Sequence, residues 1–292
     1  MGAAVSMLEF DFMQRALVAA LLVGLAAPAV GVFLVQRRLA LMGDGIGHVA
    51  LTGVALGFLL GTAPVLTAVV VATLGAVVIE LVRQQGRTSG DVALALMFYG
   101  GIAGGVLLIG LAPGGTNANL LAYLFGSLTS VSPQDLLLIA VLSGVLLLTL
   151  LLLGREMFAV CHDEEFARVS GLPVRALNLL LAVMAAVTVT AAMRVVGLLL
   201  VSALMVVPVA TAQQLVRGFR ATVVLALALG VTAALGGVTG SWYAGTAPGA
   251  MIVVVALGGF ALAATASAVV RHTRRARTPP PSVALLAEEP SR

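Results

Sequence analysis

Residues 130–154 read SVSPQDLLLIAVLSGVLLLTLLLLG, and this stretch decides the class of fold. Ser132 is placed to cap a helix, with Pro133 at its first position and Asp135 completing a capping box. The apolar run that follows is about 20 residues long, the length that a helix needs to cross about 30 Å of hydrocarbon. A strand of a membrane barrel would be shorter and would alternate in polarity. The stretch therefore predicts a transmembrane α-helix.

Similar apolar runs recur along the chain of 292 residues, of which 61% are hydrophobic and only 10% charged. The predicted spans are residues 14–36, 45–60, 64–82, 91–111, 134–153, 176–193, 195–214, 222–240 and 250–270. Residues 118–130 could form a further short or re-entrant helix, so we expect eight or nine spans. The sequence thus predicts an all-α, polytopic membrane protein.

The distribution of arginine predicts the orientation, because the chain contains no lysine. If nine spans alternate, one side receives Arg37, Arg38, Arg83, Arg87, Arg155, Arg168, Arg175, Arg217, Arg220 and the run from Arg271 to Arg277. Only Arg15 and Arg194 fall on the other side. Basic residues are concentrated on the cytoplasmic side of membrane proteins, so we expect this side and the C-terminus to be cytoplasmic.

Residues 1–270 form one predicted membrane domain, followed by a tail at 271–292. The tail is basic and then proline-rich, and it has too few core-forming residues to fold, which predicts disorder. The basic residues are spread between apolar spans rather than gathered on a soluble face, so nothing indicates a nucleic-acid partner. The single cysteine, Cys161, excludes an internal disulfide.

Asp44 and His48 stand at the start of a predicted span, where a charged side chain costs at least ~2.5 kcal/mol on insertion scales. Residues four apart share one face of a helix, so the two side chains can reach one ion. An imidazole with a carboxylate suits zinc, manganese or iron better than sodium or potassium. Alternatively, Asp44 caps the helix and His48 is hydrogen-bonded between helices. The spacing alone leaves both interpretations open.

A second polar cluster, residues 155–175, reads REMFAVCHDEEFARVSGLPVR. It is a long amphipathic segment on the arginine-bearing side, which suits either a helix that docks a partner or a solvated loop. Its residues His162, Asp163 and Glu164 are consecutive and so point in different directions around a helix, which argues against a metal site.

The missing motifs narrow the function. A P-loop needs a lysine, so this chain cannot by itself be a Walker-type ATPase. H-E-x-x-H and G-x-S-x-G motifs are also absent, which weakens a protease or esterase interpretation. Ser202 and His48 are the nearest candidates for a nucleophile and a base in a membrane-embedded hydrolase, but nothing in the sequence links them.

Several stretches resemble the integral-membrane permeases of bacterial ABC importers for zinc, manganese or iron. They are RRLALMGDGIGHVALTGVALG (37–57), NLLAYLFGSLTSVSPQDLL (119–137), FARVSGLPV (166–174), VVGLLLVSALMVVPVATAQQL (195–215) and GSWYAGTAPGAMIVV (240–254). The resemblance covers about residues 10–270. Its LLAYLFGSL segment is most similar to the zinc-uptake members, which favours zinc over manganese.

This resemblance implies the fold of the vitamin B12-type importer permeases and a homodimer in the bacterial inner membrane, with the path between protomers. It implies two further partners, a cytoplasmic ATPase subunit and an extracytoplasmic metal-binding protein. Asp44 and His48 match the family's aspartate and histidine that face the path, which implies that they hold the ion in transit. The family commonly has L-S-H where this chain has IGH, so Gly47 replaces a serine.

The same resemblance implies that Glu165, Ala167 and Gly171, in the pattern E-x-A-x-x-x-G, contact the ATPase. Two functional classes follow. The first is a permease subunit that is not itself an enzyme, binds no permanent cofactor and transports a divalent metal ion, zinc first and manganese or iron next. The second is a stand-alone carrier or channel for divalent metal that needs no ATPase.

Overall fold

All regular secondary structure described in the computed structural model is helical, as predicted. The structure describes residues 7–85, 90–111, 122–129, 131–198 and 200–277. After a short 3-10 turn at Met7–Glu9, the helices are α1 (Asp11–Gln36), α2 (Met42–Leu60), α3 (Pro64–Gln84), α4 (Gly90–Leu111), α5 (Pro133–His162), α6 (Glu164–Val169), α7 (Val174–Ala192), α8 (Val201–Leu215), α9 (Phe219–Ala244) and α10 (Pro248–Arg277).

Eight of the described helices are long and apolar enough to cross a membrane, and α8 is a shorter apolar helix. The predicted start of α5 is confirmed, because the Ser132 hydroxyl accepts a hydrogen bond from the Asp135 amide at 3.1 Å. The Asp135 carboxylate in turn accepts one from the Ser132 amide, also at 3.1 Å. This capping box fixes where the chain enters its most apolar span.

The predicted span at 195–214 is wrong at its beginning, because helix α8 starts only at Val201. Gly197 has a φ of +88°, which breaks the helix. The Leu198 amide donates to the Tyr123 carbonyl at 2.9 Å, and the Ser127 amide donates to the Arg194 carbonyl at 3.3 Å. Non-helical backbone is tolerated at membrane depth only where protein surrounds it. Residues 122–129 and 193–198, here called the loop pair, provide such hydrogen-bond partners for each other's backbone.

Helix α1 lies at the centre of the bundle and contacts α5, α7, α8 and α9. Helix α2 packs between α3 and α4, and α10 packs on α8 and α9. The outer face of α3 bears an exposed apolar stripe at four-residue spacing, formed by Leu66, Val70, Leu74 and Val78. Such a continuous apolar stripe fits contact with lipid.

Glycines bring α2 into backbone contact with both of its neighbours. A Cβ atom at Gly53 would lie 2.6 Å from the Cα of Ala68 on α3. A Cβ atom at Gly101 on α4 would lie 2.6 Å from the backbone of His48. The close helix packing that small residues permit therefore occurs beside one of the two predicted metal ligands.

Two predictions fall partly outside the described residues. Of the possible short helix at 118–130, the structure describes 122–129 and shows one helical turn at 122–125. Helix α10 continues to Arg277, so residues 271–277 of the predicted tail are helical rather than disordered. Residues 278–292 lie outside the described part, and disorder there stays a prediction.

Candidate metal site and coupling segment

Asp44 lies in the first turn of α2 but does not cap it. The N-cap residue is Leu41, whose side chain makes no capping hydrogen bond. The Ser202 hydroxyl, at the start of α8, instead donates to the Asp44 carboxylate at 3.5 Å. The alternative in which Asp44 only caps the helix is therefore not what the structure shows. Sequence reasoning had no signal that Ser202 would lie beside Asp44.

His48 lies one turn further along α2 and is 8% exposed. Its Nδ1 atom is buried and has no hydrogen-bond partner among the described residues. The ring packs edge-on against Phe98 of α4, with ring centroids 4.3 Å apart. A buried polar atom without a partner costs about 1–3 kcal/mol. The imidazole is therefore held in place by packing, and its Nδ1 atom is left without a partner among the described residues.

A cavity of about 240 Å³ opens beside Asp44 on the surface of the protomer. Its lining includes Gly45 of α2 and Leu94, Phe98 and Tyr99 of α4. The described residues contain no group of three or more His, Cys, Asp or Glu side chains that could hold a metal. Zinc sites usually have four ligands, so two donors such as Asp44 and His48 would make only half of one.

Gly47 has a structural reason to replace the serine of the family pattern. A Cβ atom at this position would lie 3.0 Å from the Leu198 carbonyl oxygen, closer than ordinary van der Waals contact. The loop pair therefore packs directly on the turn of α2 that bears both candidate ligands. Any larger residue at position 47 would require α2 or the backbone at Leu198 to shift.

The segment 155–175, expected to be either a docking helix or a solvated loop, is divided between the end of α5, the short helix α6 and the start of α7. Helix α5 ends at His162, and the side chain of Asp163 accepts a hydrogen bond from the Phe166 amide at 2.9 Å and begins α6. Ala167 is buried, whereas Glu165 is exposed. Gly171 ends the turn after α6 with a φ of +82°.

Helix α6 exposes two apolar side chains that the sequence analysis did not single out. They are Phe166, at 68% exposure, and Val169, at 88%. They lie beyond the apolar spans α5 and α7. Neighbouring acidic residues are engaged locally, since Glu164 pairs with Arg168 at 3.1 Å and Asp163 caps α6.

Arg37 links α6 to the turn between α1 and α2. Its side chain is 9% exposed, and its guanidinium donates to the Glu164 carboxylate at 2.6 Å. It also donates to the side-chain oxygen of Asn178 on α7. Arg37 lies seven residues before Asp44, in the turn between α1 and α2, so a displacement of α6 would act directly on this turn.

Helices α1, α3, α5 and α8 finish at one end of the bundle, here called the arginine-rich end. Gln84, which ends α3, donates to the Arg175 carbonyl at 3.2 Å, and Arg37 joins the end of α1 to α6 and α7. The two exceptional arginines lie at the opposite end, where Arg15 donates to the Val131 carbonyl at 3.1 Å. Arg194 there forms an ion pair with Asp135 at 3.3 Å.

Arg194 also lies over the ring of Tyr123, 4.7 Å from its centroid. The phenol ring therefore presents its face to the cation. Both arginine exceptions thus have structural partners at the opposite end.

The sequence profile of the ABC 3 transport family matches residues 9–267. The manganese transport system membrane protein MntC of Halalkalibacterium halodurans is 34% identical over 88% of this chain and 88% of its own length. The probable metal transport system membrane protein of Treponema pallidum is 35% identical over 86% of this chain and 94% of its own. The structure of PsaBC from Streptococcus pneumoniae in complex with Fab matches with a TM-score of 0.79 and 31% identity, over 88% of this chain and 92% of that one.

Proposed function

The chain belongs to the ABC 3 transport family as a membrane permease of a metal ABC importer and not an enzyme, and from this premise we propose its cargo, site and partners. It moves a divalent transition metal ion into the cytoplasm, with ATP hydrolysis on a separate subunit. The observation that carries the proposal is the pair Asp44 and His48, with the Nδ1 atom of His48 buried and without a partner. The Asp44 carboxylate lines a surface cavity, and His48 lies one turn further into the protein.

The transported ion is held by the Asp44 carboxylate and the His48 imidazole. A second copy of the chain supplies the same two donors, which completes the four ligands that zinc prefers. The position of the Asp44 cavity on the protomer surface supports this, because a path between two copies would pass it. The packing of Phe98 on His48 holds the imidazole ring without occupying the unpaired nitrogen.

The arginine-rich end faces the cytoplasm, together with the C-terminus of α10. Helix α6 docks the ATPase there through Phe166 and Val169, with Glu165 and Gly171 at the edge of the contact. The hydrogen bonds of Arg37 to Glu164 and Asn178 transmit a movement of α6 to the turn before Asp44. The extracytoplasmic metal-binding protein delivers the ion at the opposite end.

Zinc is the first proposed cargo because LLAYLFGSL is most similar to the zinc-uptake permeases. Manganese is the second, favoured by the name of the 34%-identical relative. Carboxylate and imidazole donors accept both ions, with affinity for zinc usually higher. Uptake by cells expressing the whole transporter, measured for each isotope with the other as competitor, tests the order. Manganese uptake that excess zinc leaves unchanged would reverse it.

The ligand assignment is tested by Asp44→Asn and His48→Ala. Each should abolish uptake of the transported metal per correctly inserted molecule, because each removes a metal donor while insertion, dimerisation and ATPase binding remain. Asp11→Asn, which removes an exposed carboxylate at the start of α1, is the matched control and should transport normally. Near-normal uptake by either site variant would end the ligand assignment.

The alternative function, a stand-alone carrier or channel, is tested with the purified chain alone. Reconstituted in vesicles, it should accumulate no metal against a gradient, with or without ATP, because it has no lysine for a P-loop. Addition of the ATPase and the binding protein should restore accumulation. Concentrative uptake by the lone chain would contradict the importer.

A further inference from the structure

A groove of about 960 Å³ lies between α5 and α9 and shares no lining residue with the Asp44 cavity. Helix α1 packs against both of these helices and forms its floor through Ala29 and Phe33. None of the candidate metal-site or coupling residues lines this groove. The proposed transport function therefore leaves it unexplained.

The mouth of the groove is strongly basic. Arg155 of α5 and Arg217 and Arg220 around the start of α9 all line it and are exposed. Within the described part of the chain, none of the three makes a hydrogen bond or an ion pair. No acidic residue lines the groove. Three unpaired guanidinium groups at one mouth make a site for an anion with several oxygens, such as a phosphate group.

Away from the arginines, the walls of the groove are apolar. Leu147 lies eight residues before Arg155 on α5, and Leu227 lies seven residues after Arg220 on α9. At about 1.5 Å of rise per residue, these walls run about 10–12 Å from the charged mouth toward the middle of the membrane. The groove thus combines a basic mouth with apolar walls, and it is open to the side of the bundle.

We propose that this groove binds an anionic phospholipid. The headgroup phosphate lies among Arg155, Arg217 and Arg220, and the first part of one acyl chain lies along the apolar walls. A free phosphate would use the arginines but would leave the walls without an occupant. Anionic lipids are attracted to basic residues at the cytoplasmic surface, where the arginine-rich end is placed.

The charge of the mouth is tested with the full-length purified chain and phosphatidylglycerol, using native mass spectrometry to count retained lipid. Arg217→Gln with Arg220→Gln should lower affinity about twenty-five-fold, at about fivefold per arginine. Arg38→Gln with Arg175→Gln removes the same charge from exposed sites outside the groove, so this control should bind normally. Equal losses in both pairs would show general attraction to a basic surface and overturn the site.

The role of the apolar walls is tested by Gly154→Phe. Gly154 lines the groove, and a Cβ atom there meets no atom within 4 Å, so the ring can occupy the groove without disturbing the helix packing. Gly144→Phe is the matched control, because Gly144 lies on the same helix in equally open space but outside the groove.

Gly154→Phe should lose phosphatidylglycerol while all three arginines remain, and Gly144→Phe should retain it. Phosphatidylcholine and inorganic phosphate should each displace phosphatidylglycerol poorly from the wild-type chain. Displacement by inorganic phosphate, or full retention by Gly154→Phe, would mean that the arginines bind an anion without its acyl chain and would overturn the lipid proposal.

Discussion

Long polar side chains join elements at both ends of the bundle, but the opposite end adds contact of backbone against backbone. At the opposite end, the start of α10 meets the loop pair backbone to backbone, and a Cβ atom at Gly249 would lie only 1.8 Å from the Val196 carbonyl oxygen. At the arginine-rich end, long side chains bridge the gaps, as Arg37 does between Glu164 and Asn178. Close-packed backbone has essentially one arrangement, whereas ion pairs can separate and form again. We therefore expect movement to begin at the arginine-rich end.

The largest effect should come from Gly249→Ala. The added methyl group overlaps a backbone oxygen that cannot rotate away, and such overpacking costs about 1–3 kcal/mol and occasionally more. Gly258→Ala on the same helix is the control, because its Cβ atom meets nothing within 4 Å. Thermal unfolding of both variants in detergent measures the difference. Equal stability of the two would show that the loop pair yields easily and would remove the contrast between the ends.

A second substitution tests the backbone contact nearest the candidate metal site. Gly101→Ala places a Cβ atom 2.6 Å from the backbone of His48 and should separate α4 from α2, at a cost of about 1–3 kcal/mol. Gly100→Ala should be neutral, because that position is open. Among molecules that still fold, metal uptake should fall for Gly101→Ala alone. Normal uptake would show that the position of His48 tolerates a shift of α4.

Arg37→Gln should be milder for stability. The ion pair of Arg37 with Glu164 is worth at most about 1 kcal/mol, because the Glu164 side chain is 38% exposed and keeps Arg168 as a second partner. ATP hydrolysis by the assembled transporter should then continue with reduced metal uptake, because the connection between α6 and the turn before Asp44 is lost. The control is Arg168→Gln, which removes the other partner of Glu164 and should leave coupling intact. Parallel losses of hydrolysis and uptake would contradict a transmitting role.

Local signals in the sequence predicted most of the helices and the two candidate ligands. The start of α5 was predictable because the Ser132 capping box lies within four residues. The break before α8 was not, because VVGLLLV reads as an uninterrupted apolar run. Its backbone groups are satisfied by partners such as Tyr123, more than 70 residues earlier in the chain. The same limit applies to Ser202, whose approach to Asp44 depends on where that break places α8.

The smallest expected effect is that of Gly171→Ala, in the turn after α6. Comparing it with Gly171→Arg distinguishes a loss of ATPase docking from backbone strain. Gly171 has a φ of +82°, and a Cβ atom there meets nothing within 4 Å. Gly171→Ala should therefore cost only about 1–2 kcal/mol from the left-handed backbone and leave metal uptake nearly normal. Gly171→Arg has the same backbone cost but adds a long charged side chain at the edge of the proposed ATPase contact. Co-purification of the ATPase and metal uptake should fall for Gly171→Arg and persist for Gly171→Ala. If both variants retain the ATPase and transport metal equally, the turn after α6 is solvated and the docking surface lies elsewhere.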